Sequence, residues 1–216
     1  MALTQADKEY YKEVLERTSG HRNRERVIPP EYVAYLDQVE QKELILPLDA
    51  PACPVRLVIS TAKDKMDQCP IHVNMHGGGF VYPQDHDDDM YCAHLAAEIH
   101  GIVVDIDYAT SWDHPFPCAF EQSYAVVKWV SEQCQEWGGD PKRISIGGHS
   151  AGGCLTAAIS MRAAATKEIA LCLQMLDYAA LDNYQSVLPG ANERSNAFSK
   201  LYADGADRVG QLPGCR

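Results

Sequence analysis

Residues 143–153 read RISIGGHSAGG, and this stretch decides the fold. RISIG has the short, β-branched character of a buried strand, and the CLTAAISM that follows Gly153 is alanine-rich and helical. Between them Gly148-His149-Ser150-Ala151-Gly152 forms a G-x-S-x-G turn in a strand-to-helix context. In so tight a turn the residues two before and two after the serine come close together, so side chains there would clash; this explains Gly148 and Gly152. The turn is expected to project Ser150 above the sheet edge, with the N–H groups and positive end of the helix aimed at the same spot. A bare five-residue match also occurs in turns that merely pack tightly; the flanking strand and helix single out Ser150 as a candidate nucleophile.

Working outward, strands and helices alternate. The pattern predicts helices at 86–100, 118–136 and 151–164, and strands at 101–107, 143–147 and 169–175. Such alternation implies parallel β-α-β units, hence an α/β fold with helices on both faces of a mostly parallel sheet. KELILPL and PVRLVIS, separated by DAPAC, read as antiparallel neighbours at one edge. Ahead of them, residues 4–17 predict a helix capped by Thr4, with Asp7 at its third position, Tyr10, Val14 and Arg17 near one face and Gly20 as its stop. A second helical piece should follow Pro29-Pro30. The expected organisation is a helical N-terminal segment over 1–40 and an α/β core over 41–216. From about residue 183 the chain is polar and predicts no strand.

IHVNMHGGGF, residues 71–80, is a strand running into consecutive glycines. A tetrahedral oxyanion needs two or three main-chain N–H donors, and losing one costs roughly 10²–10³ in rate. Glycines let the main chain come close with its N–H groups unshielded. A flexible loop or a phosphate-binding turn is the alternative, but the G-x-G-x-x-G and Walker patterns are absent, and co-occurrence with the serine turn makes the oxyanion reading specific.

Together HGGGF (76–80), DYATSWDHPFPCAFEQSYAVVKWV (107–130) and GHSAGG (148–153) resemble, in the expected order, the hormone-sensitive-lipase-like esterases of the α/β-hydrolase superfamily. LQMLDYAALD at 173–182 is similar to a family strand, and the helical N-terminus resembles the family's cap. The resemblance implies a serine carboxylester hydrolase acting on small to medium acyl esters through an acyl-enzyme on Ser150, with no cofactor and no metal. It implies oxyanion donors at the N–H groups of Gly78, Gly79 and Ala151, supported by His76, Gly77, Gly148 and Gly152. His149 stands where the family has Asp or Glu, and Ala109 where it has Arg.

In this fold the order is Ser, then Asp or Glu, then His. The histidines stand at 21, 72, 76, 86, 94, 100, 114 and 149, all before Ser150. His149 should point away from its neighbour's Oγ, His76 should hold the glycines, and His114 should shape a loop. Asp177, Asp182, Asp204 and Asp207 follow the serine, but Asp182 aligns with a structural position. The catalytic acid and base are therefore expected beyond Arg216, and the chain is expected to be C-terminally incomplete, stopping before the last strands of the sheet. The alternative is a chain that keeps the pocket but lacks the base, a pseudoenzyme or binding protein. Amide or formamide hydrolysis is a third reading on the same serine.

A net charge of −11 repels phosphate backbones and anionic membranes, so nucleic acid and membrane are excluded as partners and a small-molecule ester is expected. MALTQADKEYYKEV has neither a basic n-region nor an apolar h-region, and the eight scattered cysteines form no C-x-x-C pair, which points to reduced thiols and a cytoplasmic protein. Unpaired sheet edges would motivate a homodimer. DHDDD at 85–89 fits an acidic helix N-terminus better than a cation site, and Tyr124, Trp129 and Trp137 fit packing better than ligand stacking.

Overall fold

A computed structural model describes residues 2–18, 30–51, 53–181 and 193–204. Its elements are α1 (Gln5–Thr18), α2 (Pro30–Leu36), β1 (Val39–Leu46), β2 (Val55–Ala62), β3 (Cys69–Met75), α3 (His86–Glu98), β4 (Ile102–Asp107), α4 (Cys118–Gln133), β5 (Gly139–His149), α5 (Ala151–Thr166), β6 (Leu173–Asp177) and α6 (Glu193–Tyr202). A 3₁₀ turn, Cys134–Trp137, follows α4. The sheet runs β1-β2-β4-β3-β5-β6. The two pairings of β2 are antiparallel and the remaining three are parallel. This is the α/β architecture that the alternation predicts.

Strand periodicity sorts side chains onto two faces. On one, Ile71, Val73 and Met75 of β3, Ile102, Val104 and Ile106 of β4, and Ile144 and Ile146 of β5 pack with Val126, Val127, Val130, Leu155 and Ile159 of α4 and α5. On the other, α3 packs Cys92, Ala93 and Ala96 against Val103 of β4 and Val39 of β1. This second interior is partly polar. Asn74 Nδ2 donates to Asp105 Oδ1 at 2.7 Å, and His72 Nδ1 lies 2.9 Å from Ser145 Oγ. Burial pushes the Asp105 carboxyl up to about 8 and the His72 imidazole down to about 4, so both stay neutral at pH 7.

Several boundaries differ from expectation. β5 spans Gly139–His149 rather than 143–147 because Gly139 already pairs with Cys69 of β3. β6 starts at Leu173 rather than 169, because its ladder begins opposite Ser145 of β5; Ile169 instead packs into the core. α1 buries Val14 and Leu15, not Tyr10 or Arg17: Leu15 and Val14 meet Val81, Ala197 and Leu201, while Arg17 pairs with exposed Glu193. The expected stop at Gly20 lies outside the described residues. α6 was not predicted, since only Ala197, Leu201 and Tyr202 of ERSNAFSKLY are buried and tertiary contact fixes the helix. β1 begins at Val39, two positions before the expected start of the core at 41. Among the described residues no helix is long and apolar enough to cross a membrane.

Asp105 gives a test of the polar interior. Folded, it keeps its proton to about 8; unfolded, it loses it near 3.8. The native state therefore binds the extra proton between those limits, and stability falls as pH rises through them, by about 1.4 kcal/mol per unit. Asp105→Asn keeps the shape of the protonated acid and does not titrate. In urea unfolding between about pH 5 and 8, stability of the native protein should fall relative to Asp105→Asn; parallel curves would contradict a neutral, buried Asp105.

Candidate active site

Ser150 sits at the junction of β5 and α5 with φ 53° and ψ −116°, a left-handed conformation that side chains seldom adopt. Its N–H donates to Asp177 O of β6 at 3.0 Å, and its carbonyl accepts from Cys154 N at 3.2 Å. The turn is thus fixed from both sides. The N–H groups of Ala151 and Gly152 open α5, where a helix has no acceptors of its own to offer them.

The turn rests directly on the end of β3. A Cβ on Gly152 would overlap the Met75 carbonyl oxygen, and one on Gly148 would stand 2.6 Å from that same oxygen. β3 then enters the glycine loop, where Gly78, Gly79 and Phe80 have φ of 121°, 63° and 64°. Val81 N and Tyr82 N both donate to Gly78 O at 3.1 Å, which turns that carbonyl into the loop.

Two imidazoles flank Gly77. Buried His76 places Nδ1 2.6 Å from Gly77 O, stacks on Tyr108 with centroids 4.0 Å apart, and has its own carbonyl bound by Tyr108 Oη at 2.8 Å. His149 Nε2 accepts from Gly77 N at 3.0 Å and lies 3.4 Å from Asp88 Oδ1. Burial lowers the His149 pKa, against the upward pull of the Asp177 and Asp85 carboxylates. Both rings are therefore engaged with the loop's main chain, and among the described residues no imidazole is hydrogen-bonded to Ser150 Oγ.

The other sequence candidates lie elsewhere. His114 is 3.8 Å from Cys53 Sγ, and Asp204 Oδ1 accepts from Leu3 N at 3.1 Å. His21, Asp182 and Asp207 fall outside the described residues. Asp85 caps α3: its side chain accepts from Asp87 N at 3.0 Å, and Asp88 Oδ2 reciprocates by accepting from Asp85 N at 3.2 Å. Trp129 and Trp137 pack edge to face at 5.1 Å.

Two cavities meet at Ser150 and Gly79. One, of about 270 Å³, is walled by Phe80, Ala151, Cys154, Phe198 and Tyr202. The other, of about 320 Å³, is lined by Gly77, Asp85, Asp88, His149, Tyr178 and Arg194. The walls from α6 were invisible in the sequence because that helix was. The engagement of His149 with Gly77 also carried no local signal, since the two are 72 positions apart.

The family described as alpha/beta hydrolase fold matches residues 72–209, which takes in both the glycine loop and the serine turn. The chain belongs to the alpha/beta hydrolase family. Within it the similarity is to the hormone-sensitive-lipase-like members: bovine hormone-sensitive lipase is 37% identical over 93 residues, 43% of this chain and 12% of that protein. Esterase LipI of Mycobacterium tuberculosis is 33% identical over 180 residues, covering 78% of this chain and 56% of LipI. The chain thus spans about half the length of that relative. Among solved structures EstE1, a thermostable carboxylesterase cloned from a metagenomic library, superposes with a TM-score of 0.66 at 27% identity, over 88% of this chain and 60% of EstE1.

Opposite substitutions test the geometry of the turn. Gly152→Ala forces a Cβ against main chain that cannot yield and should destabilise by about 3 kcal/mol or more. Ser150→Gly relieves the left-handed serine and should stabilise by about 1 kcal/mol. Thermal or urea unfolding reads both; a Ser150→Gly variant less stable than the native protein would show that no strain is held there.

Proposed function

We propose that this alpha/beta hydrolase chain carries the acylating centre of a serine carboxylester hydrolase. The observation that carries the reading is the convergence of strained Ser150, Gly79 of the glycine loop and Ala151 at the start of α5 on one cavity. Ser150 Oγ attacks the ester carbonyl, and the N–H groups of Gly78, Gly79 and Ala151 receive the developing oxyanion. Collapse of the tetrahedral intermediate expels the alcohol and leaves an acyl-serine, which water then hydrolyses.

A serine hydroxyl is a weak nucleophile without a base to take its proton. His76 and His149 are engaged with Gly77, so neither serves. By the family order Ser, Asp, His, the acid and base follow Ser150 along the chain. The apolar cavity of about 270 Å³ suits a small to medium acyl group, with α6 as its wall and α1 packed behind it as the cap segment. The described cysteines are all free, which fits action in a reducing cytoplasm. The edge strand β1 is where a homodimer would form.

The second reading, a binding chain without turnover, is favoured by the lack of any imidazole on Ser150 Oγ among the described residues. Hydrolysis of p-nitrophenyl esters from acetate to dodecanoate by the full gene product separates the two. The hydrolase reading predicts turnover favouring the shorter acyl chains and falling at least ~10³-fold in Ser150→Ala. Rates unchanged by that substitution would favour the binding chain.

A further inference from the structure

We propose that His149 is a positioning residue that tethers the oxyanion loop only as a neutral imidazole, so that protonating it releases Gly77 and with it the donors at Gly78 and Gly79. The consequence for catalysis rests on the serine-hydrolase reading; the tether itself does not.

The direction of the hydrogen bond sets the requirement. A main-chain N–H can only donate, so His149 Nε2, 3.0 Å from Gly77 N, must accept. An imidazole nitrogen accepts only when it carries no proton, which assigns a neutral ring protonated on Nδ1. The ring also lies against the loop: a Cβ on Gly77 would stand 2.7 Å from His149 Cδ2. Residue 77 must therefore be small for this tether to form.

Gly77 is held at both its carbonyl and its N–H, and only the bond at the N–H is sensitive to acid. His76 Nδ1 faces a carbonyl oxygen, Gly77 O, at 2.6 Å, and so donates whether or not its ring is charged. His149 loses its acceptor on protonation, and two N–H groups would then face each other. A replacement partner is already in place, since Asp88 Oδ1 lies 3.4 Å from the same nitrogen. The protonated ring would swing its Nε2–H from the loop to that carboxylate.

The surroundings contain opposing influences. Asp85 and Asp88 at the start of α3 face the ring, as do Asp177 at the end of β6 and Tyr178 beyond it, whose ring centroid is 5.8 Å away. Asp87 and Arg194 line the same cavity. The carboxylates favour the charged form and burial opposes it; burial prevails, placing the release below the ordinary histidine range. At neutral pH the tether is closed, and it opens as pH falls.

NMR of the full chain tests this without requiring turnover. At pH 7 His149 should show an unprotonated Nε2 and a proton on Nδ1. The Gly77 amide should shift with the same midpoint as the His149 ring, below the ordinary histidine value. In His149→Gln, whose amide oxygen accepts but does not titrate, that acid shift of Gly77 should vanish. In parallel, the rate of Ser150 phosphonylation by a fluorophosphonate in the full gene product should fall at least ~10-fold across the His149 titration; His149→Gln should lose the component of the acid limb that shares the His149 midpoint and keep any component that belongs to the base acting on Ser150. A Gly77 amide indifferent to the protonation of His149, or an Nε2 already protonated at pH 7, would overturn the proposal; the native titration alone decides this if the variant does not fold. Failure of Ser150 to react at any pH in the full gene product, with the Gly77 titration intact, would instead refute the hydrolase reading and leave the tether standing.

Discussion

Main chain pressed against main chain holds this site together. Gly152 and Gly148 of the serine turn lie so close to the Met75 carbonyl that neither position has room for a Cβ. Because Met75 is the last residue of β3, the same contact fixes where the glycine loop begins. Nucleophile and oxyanion loop are thereby positioned by peptide units rather than by flexible side chains, which is how a site keeps its geometry without reorganising during reaction. The left-handed Ser150 is the local cost of that contact, held in place by the Ser150 N–H to Asp177 O bond across to β6.

The layer between the sheet and α3 is the second determinant. One face of β3 carries His72 and Asn74, and His76 follows just past its end, polar groups where a parallel strand ordinarily buries aliphatic ones. They tie β3 to its neighbours through Asn74–Asp105 and His72–Ser145, and His76 ties it to the loop beyond. Neutral forms of Asp105 and His72 keep this interior from holding unpaired charge. The acidic start of α3 then closes the layer next to His149.

Much of this was legible in the residues. RISIGGHSAGG fixed a strand, a turn and a helix in eleven positions, because glycines, β-branched residues and alanines each have local physical reasons to stand there. Parallel order followed from alternation, and the antiparallel edge from the short link between KELILPL and PVRLVIS. What escaped was what depends on distant partners. The face of α1 is chosen by Ala197 and Leu201, far along the chain, and α6 is helical through burial rather than pattern. DHDDD read correctly as a helix start, but its position beside His149 is a property of the folded sheet. His149 itself was read only as turned away from Ser150 Oγ, and its acceptor role became visible once Gly77 was placed 3.0 Å from it.

The most direct measurement is a crystal structure of the full gene product after reaction with a fluorophosphonate. The account predicts a covalent phosphorus–oxygen bond at Ser150 Oγ and a phosphoryl oxygen about 2.7–3.1 Å from the N–H groups of Gly78, Gly79 and Ala151. An unmodified Ser150, or an adduct whose phosphoryl oxygen points away from those three donors, would contradict it.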